Sequence, residues 1–332
     1  MAKRFGYLVA IAVLCLVFGL LQRRFGAEAR AEKWYTYRTF AFNTDCTLQL
    51  QAKEEALAGK AAGECLHLLA EMGAALNRFD PASDVSRFNA LEAGALLQCD
   101  EILWDAFAAA REASALTDGA FDVTVGPLVA YWKAVADGKA PDEESRLAAL
   151  ARTGMDKLAF DGERRSVTKL ADGVKADFGG LAKGLALELV RQRLLAAGIE
   201  HCLLNFGGNI YVSRREGEAS GVAVRDPRCG ETLCVVSRCS GRFVATSSDE
   251  FRALSPGKIS HIVDPRTGMS VQTMLSVTAV ASGGAASDYL STAVFVGGIP
   301  LAERIAAARP DVGFVILDGE GEVHCIGSVE VE

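Results

Sequence analysis

The sequence predicts an α+β fold, with mixed helices and antiparallel-rich sheets in two packed subdomains. Three observations point there. Apolar residues recur at helical spacing through much of the first 200 residues. The later chain breaks into strand-like runs of about five residues separated by turn residues. Helices and strands mix without the strict βαβ alternation of a parallel sheet. With 332 residues, 50% of them apolar and 23% charged, the chain is long enough to bury a substantial core. Its 33 Gly and 8 Pro fit neither collagen-like repetition nor a disordered chain. The net charge of -7 argues against a general nucleic-acid backbone partner. An anionic ligand would need local compensation from a metal or a placed Lys.

Phe5–Leu21 is an apolar run of 17 residues, preceded by Lys3 and Arg4 and followed by Gln22-Arg23-Arg24. At about 1.5 Å per residue it spans roughly 26 Å as a helix. It reads as an export signal: a retained anchor, or a cleaved peptide with sites at Ala27-Glu28-Ala29 and Ala29-Arg30-Ala31. Retention is favoured because those sites lie well beyond the run. Residues 1–34 are thus a signal segment and linker, and 35–332 the folded domain, with a possible division near residue 200. Basic residues on both flanks give no clean orientation. Leu14 before Cys15 argues against lipidation. Nine cysteines in an exported chain make disulfides plausible. Cys229, Cys234 and Cys239 are spaced too widely for a typical zinc pair and read as a disulfide or buried thiols.

Tyr35–Ala52 reads as strand, with Thr47-Leu48-Gln49-Leu50-Gln51 alternating. Glu54–Asn77 is a helix on the spacing of Leu57, Ala61, Cys65, Leu68, Leu69 and Met72, stopped by Phe79-Asp80-Pro81. Ser83-Asp84-Val85-Ser86 opens a short turn. Asp100–Thr117 is a second helix ending at Asp118-Gly119, Glu143–Thr153 a third, and 155–177 short strands. Leu181–Ala197 is a fourth helix closed by Gly198. Strands follow at Cys202–Phe206, Ile210–Arg214, Gly221–Arg225, Thr232–Ser237, Gly241–Ser247 and Leu275–Ala281. Helices at Ala285–Phe295 and Leu301–Arg309 precede a hairpin of Gly313–Leu317 and Val323–Ile326.

Four segments depart from core composition. In Asp177-Phe178-Gly179-Gly180-Leu181-Ala182-Lys183-Gly184 a glycine pair permits close backbone approach, ahead of a helix with free N–H groups. Lys183 in that first turn is unfavourable beside the positive dipole end unless an anion is near. Asp177 is either that anion or a cap, and an ordinary glycine turn with a solvated Lys is the plainer alternative. In Ala286-Ser287-Asp288-Tyr289-Leu290-Ser291-Thr292-Ala293, Asp288 and Thr292 share a helix face. With Ser291 they offer hard oxygens suited to Mg²⁺, or simply a helix start with small packing residues. In Ser260-His261-Ile262-Val263-Asp264-Pro265-Arg266-Thr267-Gly268, His261 is one of 4 histidines and can accept a proton near neutral pH, or it is structural. Thr117-Asp118-Gly119-Ala120-Phe121-Asp122-Val123-Thr124-Val125-Gly126-Pro127 carries a turn and an aromatic that packs or stacks.

Together, in this order, these segments resemble the ApbE family of FAD:protein FMN transferases. Residues 117–127 match its Thr-Asp-Gly-Ala-Phe-Asp-x-Thr-x-Gly-Pro stretch, 177–184 its Asp-x-Gly-Gly-x-Ala-Lys-Gly, 260–268 its Ser-His-Ile-x-Asp-Pro-x-Thr-Gly, and 286–293 its Ala-Asp-x-x-Ala/Ser-Thr-Ala, with Ser287 where the family often has Ala. Phe79-Asp80-Pro81 through Asn89 and Asn205-Phe206-Gly207-Gly208-Asn209 also match. The resemblance covers roughly residues 38–326. Where the family has Met-Gly-Thr this chain has Phe42-Asn43-Thr44.

The resemblance implies a flavin site between the subdomains, where FAD is the substrate and is split at its pyrophosphate. FMN passes to a Thr or Ser hydroxyl of an exported acceptor, typically part of a membrane-associated redox protein, and AMP leaves. It implies Mg²⁺ held by Asp288, Thr292, Ser291 and the Gly180 carbonyl. Lys183 and Asp177 would hold FAD, with Phe42, Phe79, Ala120, Phe121 and Asp122 around its rings and ribose, and His261 as the base. The catalytic domain would lie in the periplasm, attached to the membrane by the amino-terminal segment. Hydrolysis of FAD to FMN and AMP, or FAD binding without catalysis, are the alternatives.

Overall fold

In the computed structural model, residues 32–248 and 259–332 are described. The apolar run Phe5–Leu21 and its cleavage motifs lie outside the described residues.

Strand β1 (Lys33–Ala41) and strand β2 (Thr44–Ala52) form a hairpin where the sequence predicts one strand. The chain reverses at Phe42 and Asn43, whose φ values are 51° and 58°. A two-residue hairpin turn of this kind needs positive φ at both central residues. Asn adopts it readily, but a Phe there is unusual, so the turn gives little signal in sequence. Ala41 pairs with Thr44, and Lys33 with Ala52.

Helix α1 (Glu55–Ala75) buries Ala58, Ala61, Ala62, Cys65, Leu68, Leu69 and Met72 along one stripe. The predicted Leu57 is instead exposed, at the stripe's edge. Helix α2 (Asp84–Ala90) stands where only a turn is predicted. Ser83 caps it, accepting from the Ser86 N–H at 3.1 Å. After β3 (Leu96–Gln98) comes α3 (Glu101–Leu116), capped by Asp100. Helix α4 (Gly126–Ala136) is absent from the sequence reading because Gly126-Pro127 looks like a turn, yet Pro is well suited to a helix's first positions. Helix α5 (Glu143–Leu150), β4 (Leu158–Asp161) and β5 (Ser166–Lys169) follow, then α6 (Ala182–Ala196).

The remaining strands are β6 (Cys202–Phe206), β7 (Asn209–Ser213), β8 (Val222–Arg225), β9 (Thr232–Val236), β10 (Arg242–Ser248) and β11 (Met274–Ala281). Helix α7 (Gly284–Ala308) is kinked at Gly298, where φ is 68°, and so follows the predicted pair of helices. Strands β12 (Gly313–Asp318) and β13 (Val323–Gly327) close the chain as a hairpin.

Among the described residues, eight strands form one antiparallel sheet in the order β1-β2-β6-β7-β10-β11-β12-β13. Strand β2 pairs with β6, so the sheet joins strands from both sides of residue 200. Period-2 alternation decides what each face covers. Leu48, Leu50, Leu204, Phe206, Ala279 and Phe314 point into the main core with α1, α6 and α7. Val212, Val244, Val280 and Val315 point the other way, under Val222, Val224 and Val236 of the β8–β9 hairpin. The sheet is therefore buried on both faces over its centre, with helices on one side. The architecture is the predicted mixture of helices and antiparallel sheets.

Candidate active site

The site forms where α6 meets α7, and glycine makes that meeting possible. A Cβ on Gly184 would lie 2.2 Å from the Gly284 carbonyl oxygen, and one on Gly284 would lie 2.3 Å from the Gly184 oxygen. Only a pair without side chains lets the two backbones approach so closely. The approach brings the Gly184 N–H to Oδ2 of Asp288 at 2.9 Å. The other oxygen, Oδ1, lies 3.7 Å from the Lys183 ammonium. Lys183 also donates to the Gly179 carbonyl at 3.2 Å. Glu188, one turn along α6 from Gly184, accepts from the N–H groups of Gly284 and Ala285 at 2.9 and 3.2 Å. That carboxylate compensates the positive end of α7.

Lys183 and Asp288 are both buried. The anion that accounts for a Lys at the start of α6 is therefore Asp288. Asp177, the sequence candidate, is engaged elsewhere. It accepts from Arg78 Nε at 2.9 Å and from the Gly179 N–H at 2.9 Å. It does not cap α6: Leu181 at the N-cap makes no side-chain bond, and the first-turn N–H of Gly184 is met by Asp288 instead. The Arg78 guanidinium also lies over the Phe79 ring, 4.4 Å from its centroid. Phe79 is 75% exposed. Phe79, Arg78 and Asp177 thus form a continuous aromatic–cation–anion row.

Hydroxyls gather one turn along α7. Ser291 donates to the Asp288 carbonyl at 2.8 Å. Ser247, at the end of β10, lies 2.8 Å from Ser291 Oγ and 3.1 Å from Thr292 Oγ1. Gly180 sits directly against Thr292: a Cβ there would meet Thr292 Oγ1 at 3.0 Å and the Phe121 ring at 3.1 Å. Phe121 lies 5.9 Å, centroid to centroid, from Tyr289. Burial pushes the Tyr289 hydroxyl up to about 12, so it remains a neutral phenol.

The 117–127 loop ties these parts together. Thr117 donates to the Ala113 carbonyl at 2.7 Å and accepts from the Phe121 N–H at 3.1 Å. Asp122 is buried and accepts from Thr124 N–H and hydroxyl at 2.7 and 2.6 Å and from the Met155 N–H at 2.9 Å. Burial raises its pKa, and those bonds oppose the rise. Its carboxylate is turned into its own loop, beside buried Ala120. The Asp177 N–H donates to the Val123 carbonyl at 2.7 Å, joining this loop to the glycine turn.

His261 precedes a tight turn in which Val263 bridges Ser270 and Asp264 pairs with Arg266 at 2.9 Å. Trp132 on α4 donates to the Gly268 carbonyl at 2.8 Å, and Arg266 lies beside Gly119. The His261 turn therefore leans on the 117–127 loop. Phe42 occupies the β1–β2 turn and packs against the edge of the main core. A Cβ on Gly207 would meet Thr44 Oγ1 at 2.5 Å, so the Asn205–Asn209 turn abuts the Phe42-Asn43-Thr44 segment. Lys183 is close enough to lower the pKa of Cys46 on β2, although burial raises that thiol overall to about 11.

Sequence reasoning missed Arg78, Glu188 and Ser247. Glu188 lies four residues after Gly184 on a helix, a spacing that places both on one face. Ser247 carries no such signal, because its partners come from across the fold. Among the described residues no three His, Cys, Asp or Glu side chains gather into a metal-type cluster, and Cys229, Cys234 and Cys239 are free thiols. A cation here would thus rely on one carboxylate, hydroxyls and a backbone carbonyl. That oxygen set at Asp288, Thr292 and Gly180 fits Mg²⁺.

Residues 42–316 match the ApbE family. The chain belongs to that family. It is 34% identical to an FAD:protein FMN transferase of Rhodobacter capsulatus, over 66% of this chain and 43% of the relative. The matched stretch is thus less than half of that relative's length. An FAD:protein FMN transferase of Haemophilus influenzae is 27% identical over 75% of this chain and 78% of its own. Among solved structures, the ApbE protein of Thermotoga maritima superposes with a TM-score of 0.80 at 28% identity, covering 89% of this chain and 97% of that one. The flavin transferase ApbE of Vibrio cholerae, at 24% identity, shares the fold with a TM-score of 0.77 over 90% of this chain and 98% of its own. Of the motif segments, 177–184 and 286–293 meet directly at Asp288, and Phe121 of 117–127 lies against Gly180.

Proposed function

We propose that this chain is an FAD:protein FMN transferase that moves FMN from FAD to a Thr or Ser hydroxyl of an exported acceptor protein and releases AMP. The observation that carries the reading is the buried Lys183–Asp288 pair beside the hydroxyls of Ser291 and Thr292, closed by Gly180. With a divalent cation bound, this cluster would carry the net positive charge that a pyrophosphate needs within an acidic chain.

Asp288, Thr292 and the Gly180 carbonyl would hold Mg²⁺, with Ser291 hydrogen-bonded beside them. When bound, the ion would neutralise phosphate charge and stabilise the departing AMP phosphate. Lys183 supplies a second positive charge to the pyrophosphate. Asp177 acts through the neighbouring Arg78 and Phe79, which offer a cation and an exposed ring to the nucleotide. Phe42, Ala120 and Phe121 line the flavin and its ribose, and Asp122 braces the loop that carries the last two. His261 accepts the acceptor hydroxyl's proton as oxygen attacks the FMN phosphorus and the bond to the AMP phosphate breaks. The catalytic domain works in the periplasm, held at the membrane by residues 1–34, on a membrane-associated redox protein.

Mass spectrometry of a co-expressed acceptor domain tests the reading. An added FMN on one Thr or Ser is the expected result. An unmodified acceptor with free FMN accumulating would identify a hydrolase, and intact FAD after long incubation with Mg²⁺ a binding protein.

A further inference from the structure

The hydroxyl distances at the site favour one assignment of protons. Ser291 Oγ lies 2.8 Å from the Asp288 carbonyl oxygen, which can only accept, so the Ser291 proton is committed there. Each hydroxyl has a single proton. In the 2.8 Å contact between Ser247 and Ser291, Ser247 must therefore be the donor. Its own proton is then spent, and in the 3.1 Å contact with Thr292 the donor must be Thr292. Among the described residues the other acceptor near Thr292 is the Asp288 carbonyl, which is 3.5 Å away, beyond the usual range. The chain runs from Thr292 to Ser247, to Ser291, to the Asp288 carbonyl.

Ser247 is well fixed for this task. It lies in register with Val277 on β11, and the adjacent Thr246 is hydrogen-bonded to Thr278 at 2.8 Å. Ser291 is fully buried, while Thr292 is partly accessible and faces Gly180.

We propose that Ser247 is a positioning residue for the cation site. By accepting a hydrogen bond from Thr292 it would leave a lone pair of Thr292 Oγ1 free for the ion, and Ser291 serves as the relay that orients Ser247 instead of as a direct ligand. Atoms such as Ser247 that orient a ligating group commonly tune metal affinity by about 10–100-fold. The inference rests on the Mg²⁺ reading above.

The test titrates Mn²⁺, followed by its electron paramagnetic resonance signal, into the FAD-saturated full chain without acceptor. Ser247→Ala removes the acceptor oxygen. Ser247→Cys fills the same space with a weak hydrogen-bonding group and carries the comparison if the alanine variant does not fold. Both are expected to bind Mn²⁺ about 10–100-fold more weakly, with FAD affinity in the absence of metal unchanged. Ser247→Thr, which keeps the hydroxyl, is expected to bind like the wild type. Mn²⁺ binding by Ser247→Ala or Ser247→Cys as tight as wild type overturns the role of Ser247. Absence of Mn²⁺ binding by the wild type itself overturns the metal reading, and this inference with it.

Discussion

The Gly184 N–H donates to Oδ2 of Asp288 at 2.9 Å, across the crossing of α6 and α7. That bond requires the two helices to approach as closely as their glycines permit. A Cβ on Gly184 would meet the Gly284 oxygen at 2.2 Å and the Asp288 Cβ at 2.5 Å, neither of which can yield without moving a helix. Gly184→Ala is therefore expected to lower stability by about 1–3 kcal/mol, despite alanine's better helix propensity. Urea unfolding measures this, and an unchanged midpoint would show that the crossing tolerates a side chain.

His261→Ala is expected to keep FAD bound while transfer falls by about 10²–10⁴-fold, the usual contribution of a positioned base. FAD affinity and flavin incorporation, measured on the same preparation, separate the two effects. Transfer at the wild-type rate would remove His261 from its role.

Phe79 is 75% exposed and touches Arg78 but little of the core. Phe79→Ala should therefore shift folding stability by no more than about 0.5 kcal/mol. It should weaken FAD binding by about 0.5–1.5 kcal/mol, the range for one aromatic contact. Equilibrium binding read by flavin fluorescence checks this, and wild-type affinity would take Phe79 out of the nucleotide site.

Asp311 ties the two ends of α7 together. It accepts from Ser282, just before the helix, at 2.7 Å and from Arg309, at its end, at 3.1 Å. Arg309 first, and Ser282 next, hold its carboxyl well below the ordinary value of 3.8. A depressed carboxyl stabilises the fold in full above the unfolded value, and this stabilisation fades as pH falls below it. Asp311→Asn is expected to lower the urea midpoint at neutral pH, and the gap from wild type should narrow toward about pH 2.5. A gap that does not change with pH would contradict the pairing.

Much of the site was legible because its residues sit in contiguous motifs. Asp288 and Thr292 lie four apart on α7, and Lys183 follows the Gly179-Gly180 pair. What the sequence could not supply was the pairing between motifs. Lys183 finds Asp288 across a helix crossing, whereas Asp177, closer in sequence, is drawn to Arg78. Ser247 reaches the site from a strand whose position depends on the whole sheet. In the fold, periodicity located α1, α6 and the short later strands. The β1–β2 turn was hidden because Phe42 takes a conformation that Phe rarely adopts. Helix α4 was hidden behind Gly126-Pro127, which signals a turn as readily as a helix start.

In the proposed transfer, Asp288 organises a cation that makes the FAD pyrophosphate cleavable. The most direct measurement is the intact mass of a purified acceptor domain after incubation with FAD, using the wild type with and without Mg²⁺ and the Asp288→Ala variant with Mg²⁺. The mass of one FMN is expected on the acceptor only with the wild type and Mg²⁺. Equal flavin incorporation by Asp288→Ala, or by metal-stripped wild type, would contradict it.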